Sequence, residues 1–199
     1  MERKIFKTRS IESQKKIYLF LIGLAVLSFA FGLFFIFVID KENLTAINKS
    51  ITSFFIDKNW NEVNLITSFF NVFLYVLIIW ILGISVIGLP ISLFILMFKA
   101  FLAGFSISSI IYSFGFKGLL YILIEYFPSG IIYGALLILV SFYSTQFSLR
   151  LFNYLFLKRM VNFKDVMRKY VKIFLISFII SISLTLYNYY IIPSLLNII

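Results

Sequence analysis

No cysteine and no histidine occur anywhere in the 199 residues. Disulfides, thiolate nucleophiles, the usual zinc ligand sets, haem attachment and every His-based triad or dyad are thereby excluded. Carboxylates are scarce too: Asp and Glu together number 8, too few for a carboxylate cage around a metal. Charged residues make up 13% of the chain, against about a quarter in an ordinary soluble domain. There are only 3 prolines, so few places force a long helix to break. No cofactor is expected.

What is there instead is apolar. Hydrophobic residues reach 62%, with 26 Phe and 12 Tyr, and the mean hydropathy is +1.04. A globular domain of this composition lacks the polar groups to cover its surface. The expected fold class is all-α, a polytopic transmembrane helix bundle in the cell membrane, one domain over residues 1–199. The net charge of +10 does not point to nucleic acid, because it is concentrated in two clusters beside apolar runs. Membrane topology and anionic lipid account for them, and no nucleic-acid partner is expected.

Residues 1–16 form the first cluster, with Arg3, Lys4, Lys7, Arg9, Lys15 and Lys16 against Glu2 and Glu12. Residues 17–39 then carry no charge over 23 positions, about 34 Å of helix, enough to cross the hydrocarbon core. A signal peptide would have a shorter apolar region and a small-residue cleavage site. The run Phe34-Phe35-Ile36-Phe37 before Asp40 is instead a retained first span with its basic end cytoplasmic. The near-neutral stretch 40–64 suits the outside. Within it Leu44, Ile47, Ile51, Phe54 and Phe55 recur at helical spacing, describing an amphipathic helix over 43–57. It lies either on the outer interface, against a partner, or on the bundle itself.

Residues 63–98 hold no charge over 36 positions, too many for one crossing. A break is expected at Gly88-Leu89-Pro90, giving a second span over 65–87 and a third over 90–114. Stretch 118–149 is 32 residues with a single charge, Glu125, and a proline at 128. Charge decides how often it crosses. Residues 150–172 hold seven basic side chains against Asp165, a net +6 that should face the cytoplasm. That requires one crossing, so 118–127 is read as a short re-entrant helix and 129–151 as the fourth span. With 152–172 as a cytoplasmic loop, 173–192 makes the fifth. The reading is five spans, N-terminus in and C-terminus out.

Small residues recur every four positions in three places: Ala100, Gly104 and Ser108; Gly130 and Gly134; and Ser177, Ser181 and Thr185. Such stripes permit close helix approach in lipid, within one chain or across a homodimer. Lys99 and Glu125 are the ionisable residues deep in the spans, which makes each a functional candidate. Lys99 either snorkels to the cytoplasmic interface or, as its place beside the Ala100, Gly104 and Ser108 stripe favours, is a buried charge paired with carbonyls or a carboxylate.

The run Trp80-Ile81-Leu82-Gly83-Ile84-Ser85-Val86-Ile87-Gly88-Leu89-Pro90, followed by Phe98-Lys99 and Gly104-Phe105, resembles the signature of the stage II sporulation protein M family. The resemblance covers the whole chain, down to a Ser-Leu-Arg at 148–150 ending a span. It carries Gly83, Ser85, Gly88, Pro90, Lys99 and Gly104 as motif residues, with Glu125 and Pro128 in the proline-broken segment. Two departures stand out. Ala100 replaces the Gly usual after the lysine, and Glu125 and Pro128 are three apart where wider relatives often have Glu-x-Pro. The resemblance implies a non-enzymatic scaffold in endospore engulfment. Such a scaffold brings the wall hydrolases named stage II sporulation proteins P and D to the septal and engulfing membrane. A small-solute or ion transporter built on the broken helices, Lys99 and Glu125 is the main rival. An intramembrane enzyme lacks both a nucleophile–base pair and a carboxylate pair.

Overall fold

In the computed structural model, residues 2–56, 64–156, 158 and 163–196 are described, and among them every regular element is helical. Five helices carry stretches long and apolar enough to cross a membrane: Gln14–Phe35, Leu65–Gly83, Gly88–Phe114, Ser129–Leu155 and Lys164–Leu195. The chain is a transmembrane helix bundle.

Helix α1 (Glu2–Phe35) does not begin at residue 17 but runs from the basic tail into the first span. Nothing between residues 2 and 22 breaks a helix, and Glu12 and Lys16, one turn apart, approach to 3.7 Å. It ends four residues before 39 in a turn closed by Phe37 N–H to the Phe34 carbonyl. Helix α2 (Lys41–Ile56) carries the amphipathic pattern, shifted from 43–57; residue 57 and the loop charges Asp57, Lys58 and Glu62 lie outside the described residues. It packs on the third span, with Leu44, Ile47 and Ile51 half-buried.

Helix α3 (Leu65–Gly83) is capped by Asn64, whose side chain accepts the Ile66 N–H at 3.0 Å. It stops at Gly83 rather than 87, and α4 (Gly88–Phe114) starts before Pro90 rather than at it. The break is therefore the turn 84–87. Pro90 fits inside the first turn of α4 because N–H groups there need no helical acceptor.

Gly115 adopts φ +58, a left-handed turn suited to glycine, and reverses the chain into α5 (Phe116–Tyr126). At Gly118 a Cβ would lie 2.7 Å from the Ile110 carbonyl, so α5 folds tightly back on α4. Its 11 residues reach about 16 Å, roughly half a bilayer core. Helix α6 (Ser129–Leu155) follows Pro128 and continues beyond 151.

Helix α7 (Phe163–Leu186) absorbs most of the basic segment expected as loop, with Asp165 in its first turn; Arg159 lies outside the described residues. At its far end a π-helical turn (Tyr187–Ile191) leads into α8 (Ile192–Leu196), so the helical path continues past 192. Pro193 would clash with the carbonyl four residues earlier in a regular helix; the wider turn just before it relieves that crowding.

The core lies at the centre of the five long helices, built on Leu21, Phe73, Val76, Ile79, Leu96, Leu136, Leu137, Val140 and Leu184. Helix α1 pairs chiefly with α4, while α3, α6 and α7 pack mutually.

Candidate functional site

The end of α3 is tied to two other helices through its backbone. Ser144 Oγ donates to the Ile79 carbonyl at 3.0 Å, Tyr170 Oη to the Trp80 carbonyl at 2.5 Å, and Ser148 Oγ to the Ser85 carbonyl at 3.0 Å. Ser144 and Ser148 stand one turn apart on α6, and Tyr170 comes from α7. Carbonyls at a helix end have no intrahelical donor, and in lipid no water replaces it. Here the Ile81 and Leu82 carbonyls accept from the turn's own Ile84 and Ser85 N–H groups, and hydroxyls from neighbouring helices reach the Ile79, Trp80 and Ser85 carbonyls on either side. Rings close the point: Tyr170 stacks on Trp80 at 5.5 Å and on Phe147 at 4.6 Å, and Phe174 lies 4.3 Å from Trp80.

Gly83 makes this clasp possible. A Cβ there would collide with Tyr170 Oη and Ser144 Oγ. At Gly88 a Cβ would run into the Leu82 carbonyl, so the turn closes only on glycine. Leu82 is fixed backbone, not a movable side chain.

A second feature lies on the opposite flank of α6. A cavity of about 620 Å³ opens between α1, α4 and α6, walled by small residues including Ala25, Ala100, Ala103, Gly130 and Gly134. Lys99 lines it, with its Nζ 3.4 Å from the centroid of the Tyr75 ring. The lysine thus has an aromatic partner inside the bundle. A cation held over a ring face gains about 0.5–2 kcal/mol, more as water is withdrawn.

Glu125 lies elsewhere, at the end of α5. It borders a cavity of about 330 Å³ with Asn71, Tyr133 and Asn188, and another of about 470 Å³ beneath α2. Its backbone carbonyl accepts from Ser129 Oγ at 2.7 Å, across the Pro128 break. Tyr126 borders all three cavities. Among the described residues, no group of three or more His, Cys, Asp or Glu could hold a metal ion.

The sequence profile of the family described as stage II sporulation protein M matches residues 16–187. The chain belongs to that family. Comparison with curated proteins and with solved structures returned no significant match.

On this member of the stage II sporulation protein M family, the signature residues divide between the two features. Gly83, Ser85 and Gly88 form the clasped turn, Pro90 opens α4 as an exposed residue, and Lys99 belongs to the groove. The small-residue stripes also divide. Gly104 is buried at the α1 contact, where a Cβ would meet the Phe29 carbonyl; Ala100 faces the groove; and Ser108 bonds the Phe105 carbonyl of its own helix. Gly130 and Gly134 do not act as one stripe. The atoms nearest a Cβ at Gly130 belong to Tyr126 at the end of α5, and at Gly134 a Cβ meets nothing within 4 Å. Ser177, Ser181 and Thr185 are buried in the chain.

Sequence reading missed Ser144 and Tyr170, noted Ser148 only within the Ser-Leu-Arg that ends a span, and missed Gly32, where a Cβ would collide with the Phe101 carbonyl. The signal existed for most of them. Ser141, Ser144, Thr145 and Ser148 repeat at one-turn intervals, as do Ser28 and Gly32. Tyr170 had none, because it is embedded in a run of charged residues.

Proposed function

We propose that this chain is a non-enzymatic scaffold of endospore engulfment that recruits cell-wall hydrolases, stage II sporulation proteins P and D, to the septal and engulfing membrane. The observation that carries the reading is the family match over residues 16–187. The groove supports it physically. Small residues permit close helix approach in lipid, and the surface at Gly134 is unfilled, so a partner's membrane-spanning helix can seat there. In this reading the basic ends of α1 and α7 face the cytoplasm and α2 lies outside. A cysteine placed at position 165 is then labelled by an impermeant thiol reagent only after the membrane is opened; labelling from outside overturns that orientation.

The recruitment test is co-purification of both hydrolases, with sporulation efficiency, at matched membrane levels. Gly134→Leu fills the groove where there is room for a side chain, and it should reduce recovery severalfold. Undiminished recovery and sporulation would remove the groove from the proposal. A change in oligomeric mass with hydrolase recovery intact would assign the groove to a second copy of the chain.

A transport reading draws on one observation, the cavity where Glu125, Asn71 and Asn188 meet beside the Pro128 break. Ion flux in proteoliposomes that Glu125→Gln abolishes would favour it over scaffolding.

A further inference from the structure

Three cationic side chains gather around a further cavity, which backs onto the clasp at Phe147 and Tyr170. Between α1, α6 and α7 a cavity of about 450 Å³ is lined by Arg150, Lys169 and Lys172, by Gln14 and Gln146, and, among the described residues, by no carboxylate. Its other wall is apolar, with Phe142, Phe147, Ile173 and Ile176. Charge complementarity therefore calls for an anion attached to something apolar.

The depth of the cavity agrees with that. Each of its three helices changes character at this level: α1 passes from Lys16 to Ile17, α7 from Lys172 to Ile173, and α6 reaches its first charge at Arg150. In a multi-pass membrane protein this is the height at which lipid headgroups lie. A further observation concerns Gln146. The residue lines this cavity, and its Nε2 is buried with no acceptor among the described residues. A buried amide donor left unmade is costly, so an acceptor from outside the chain is expected beside it. Phosphate oxygens are such acceptors, and guanidinium and ammonium groups bind them with charge-assisted bonds.

We propose that this cavity is a binding site for the phosphate of an anionic phospholipid, with its acyl chains descending along Phe142 and Ile176. Arg150 and Lys169 bind the phosphate, and Gln146 donates to it from the floor. The site requires only that the chain spans a membrane, so it stands or falls independently of the scaffold reading. Because it adjoins Tyr170, which the clasp uses, an occupied site would also brace the end of α3.

The test titrates the full chain, held in phosphatidylcholine nanodiscs, with phosphatidylglycerol, and reads retained lipid by native mass spectrometry. Wild type should retain one phosphatidylglycerol in preference to phosphatidylcholine of the same acyl chains. The pair Arg150→Gln and Lys169→Gln should weaken retention by about tenfold. Lys164→Gln with Arg168→Gln removes the same charge from residues that do not line the cavity, and it should leave retention unchanged. Gln146→Leu, which alters no charge, should weaken it as well. Equal loss in both charge pairs would overturn the proposal in favour of diffuse attraction. Competition by inorganic phosphate at the same concentration would reassign the site to a free anion. Where a variant does not fold, wild type decides alone: equal retention of the two lipids overturns the site.

Discussion

The two flanks of α6 hold their neighbours by different means. Toward α3 and α7 the contact is polar and closed, with hydroxyls of Ser144, Ser148 and Tyr170 on three carbonyls and a stack of rings over them. Toward α1 and α4 the tightest contact bypasses α6 altogether. Gly32 and Gly104 press each helix onto the other's backbone, near the Phe101 and Phe29 carbonyls, and a groove is left beside α6. Lipid is as apolar as the helices, so burial alone cannot force closure. Where side-chain donors reach carbonyls the bundle shuts; where glycines bring two backbones together, it closes on that pair and stays open elsewhere.

The contrast is broken most severely at Gly88. Gly88→Leu drives a side chain into the Leu82 backbone and should cost about 3 kcal/mol or more, read as loss of folded protein and a lower melting temperature in detergent. Ile87→Leu, at a residue 78% exposed, should be near neutral. Comparable losses for the two would mean that the turn does not depend on glycine.

Next in size is the glycine contact of the open flank. Gly104→Ala should destabilise by about 2 kcal/mol, whereas Gly134→Ala, with nothing within 4 Å, should be tolerated. The same thermal measurement separates them, and equal effects would erase the distinction between a packed glycine and a free one.

Smaller again is the clasp. Tyr170→Phe keeps the ring stack and removes only the bond to the Trp80 carbonyl, an expected loss of about 1 kcal/mol. Ser144→Ala should cost less, about 0.6 kcal/mol, the average for one hydrogen bond within a membrane. If the double variant loses no more than the larger single one, the two hydroxyls act as a unit.

The smallest effect is expected at Lys99. Its partner is the Tyr75 ring rather than a carbonyl or a carboxylate, so Lys99→Arg should keep the interaction and Lys99→Met should lose about 0.5 kcal/mol. Stability in detergent checks both. Failure of the arginine variant at matched expression would show that the ammonium's compact shape matters, not only its charge.

Five apolar helices could be read from the chain because a bilayer imposes one length and one chemistry on every crossing, and both are local properties of a run of residues. The signature from Trp80 to Lys99 was legible as a local string of glycines, serine and proline, although Gly83 and Ser85 owe their contacts to Ser144, Ser148 and Tyr170 far along the chain. The boundaries were not. Helix α1 reaches back to Glu2 and α7 to Phe163 because charged residues form helix as readily as apolar ones, so the edge of an apolar run marks the membrane and not the helix end. Helix α3 stops at Gly83, where hydroxyls sixty to ninety residues further along the chain reach carbonyls on either side of the turn, contacts that no local pattern announces. Likewise, GxxxG spacing shows where a close contact is allowed and cannot say whether a helix will occupy it. At Gly104 another helix does; at Gly134 none in this chain does. Those outcomes depend on which surfaces meet, and that is settled by the packing of all five spans at once.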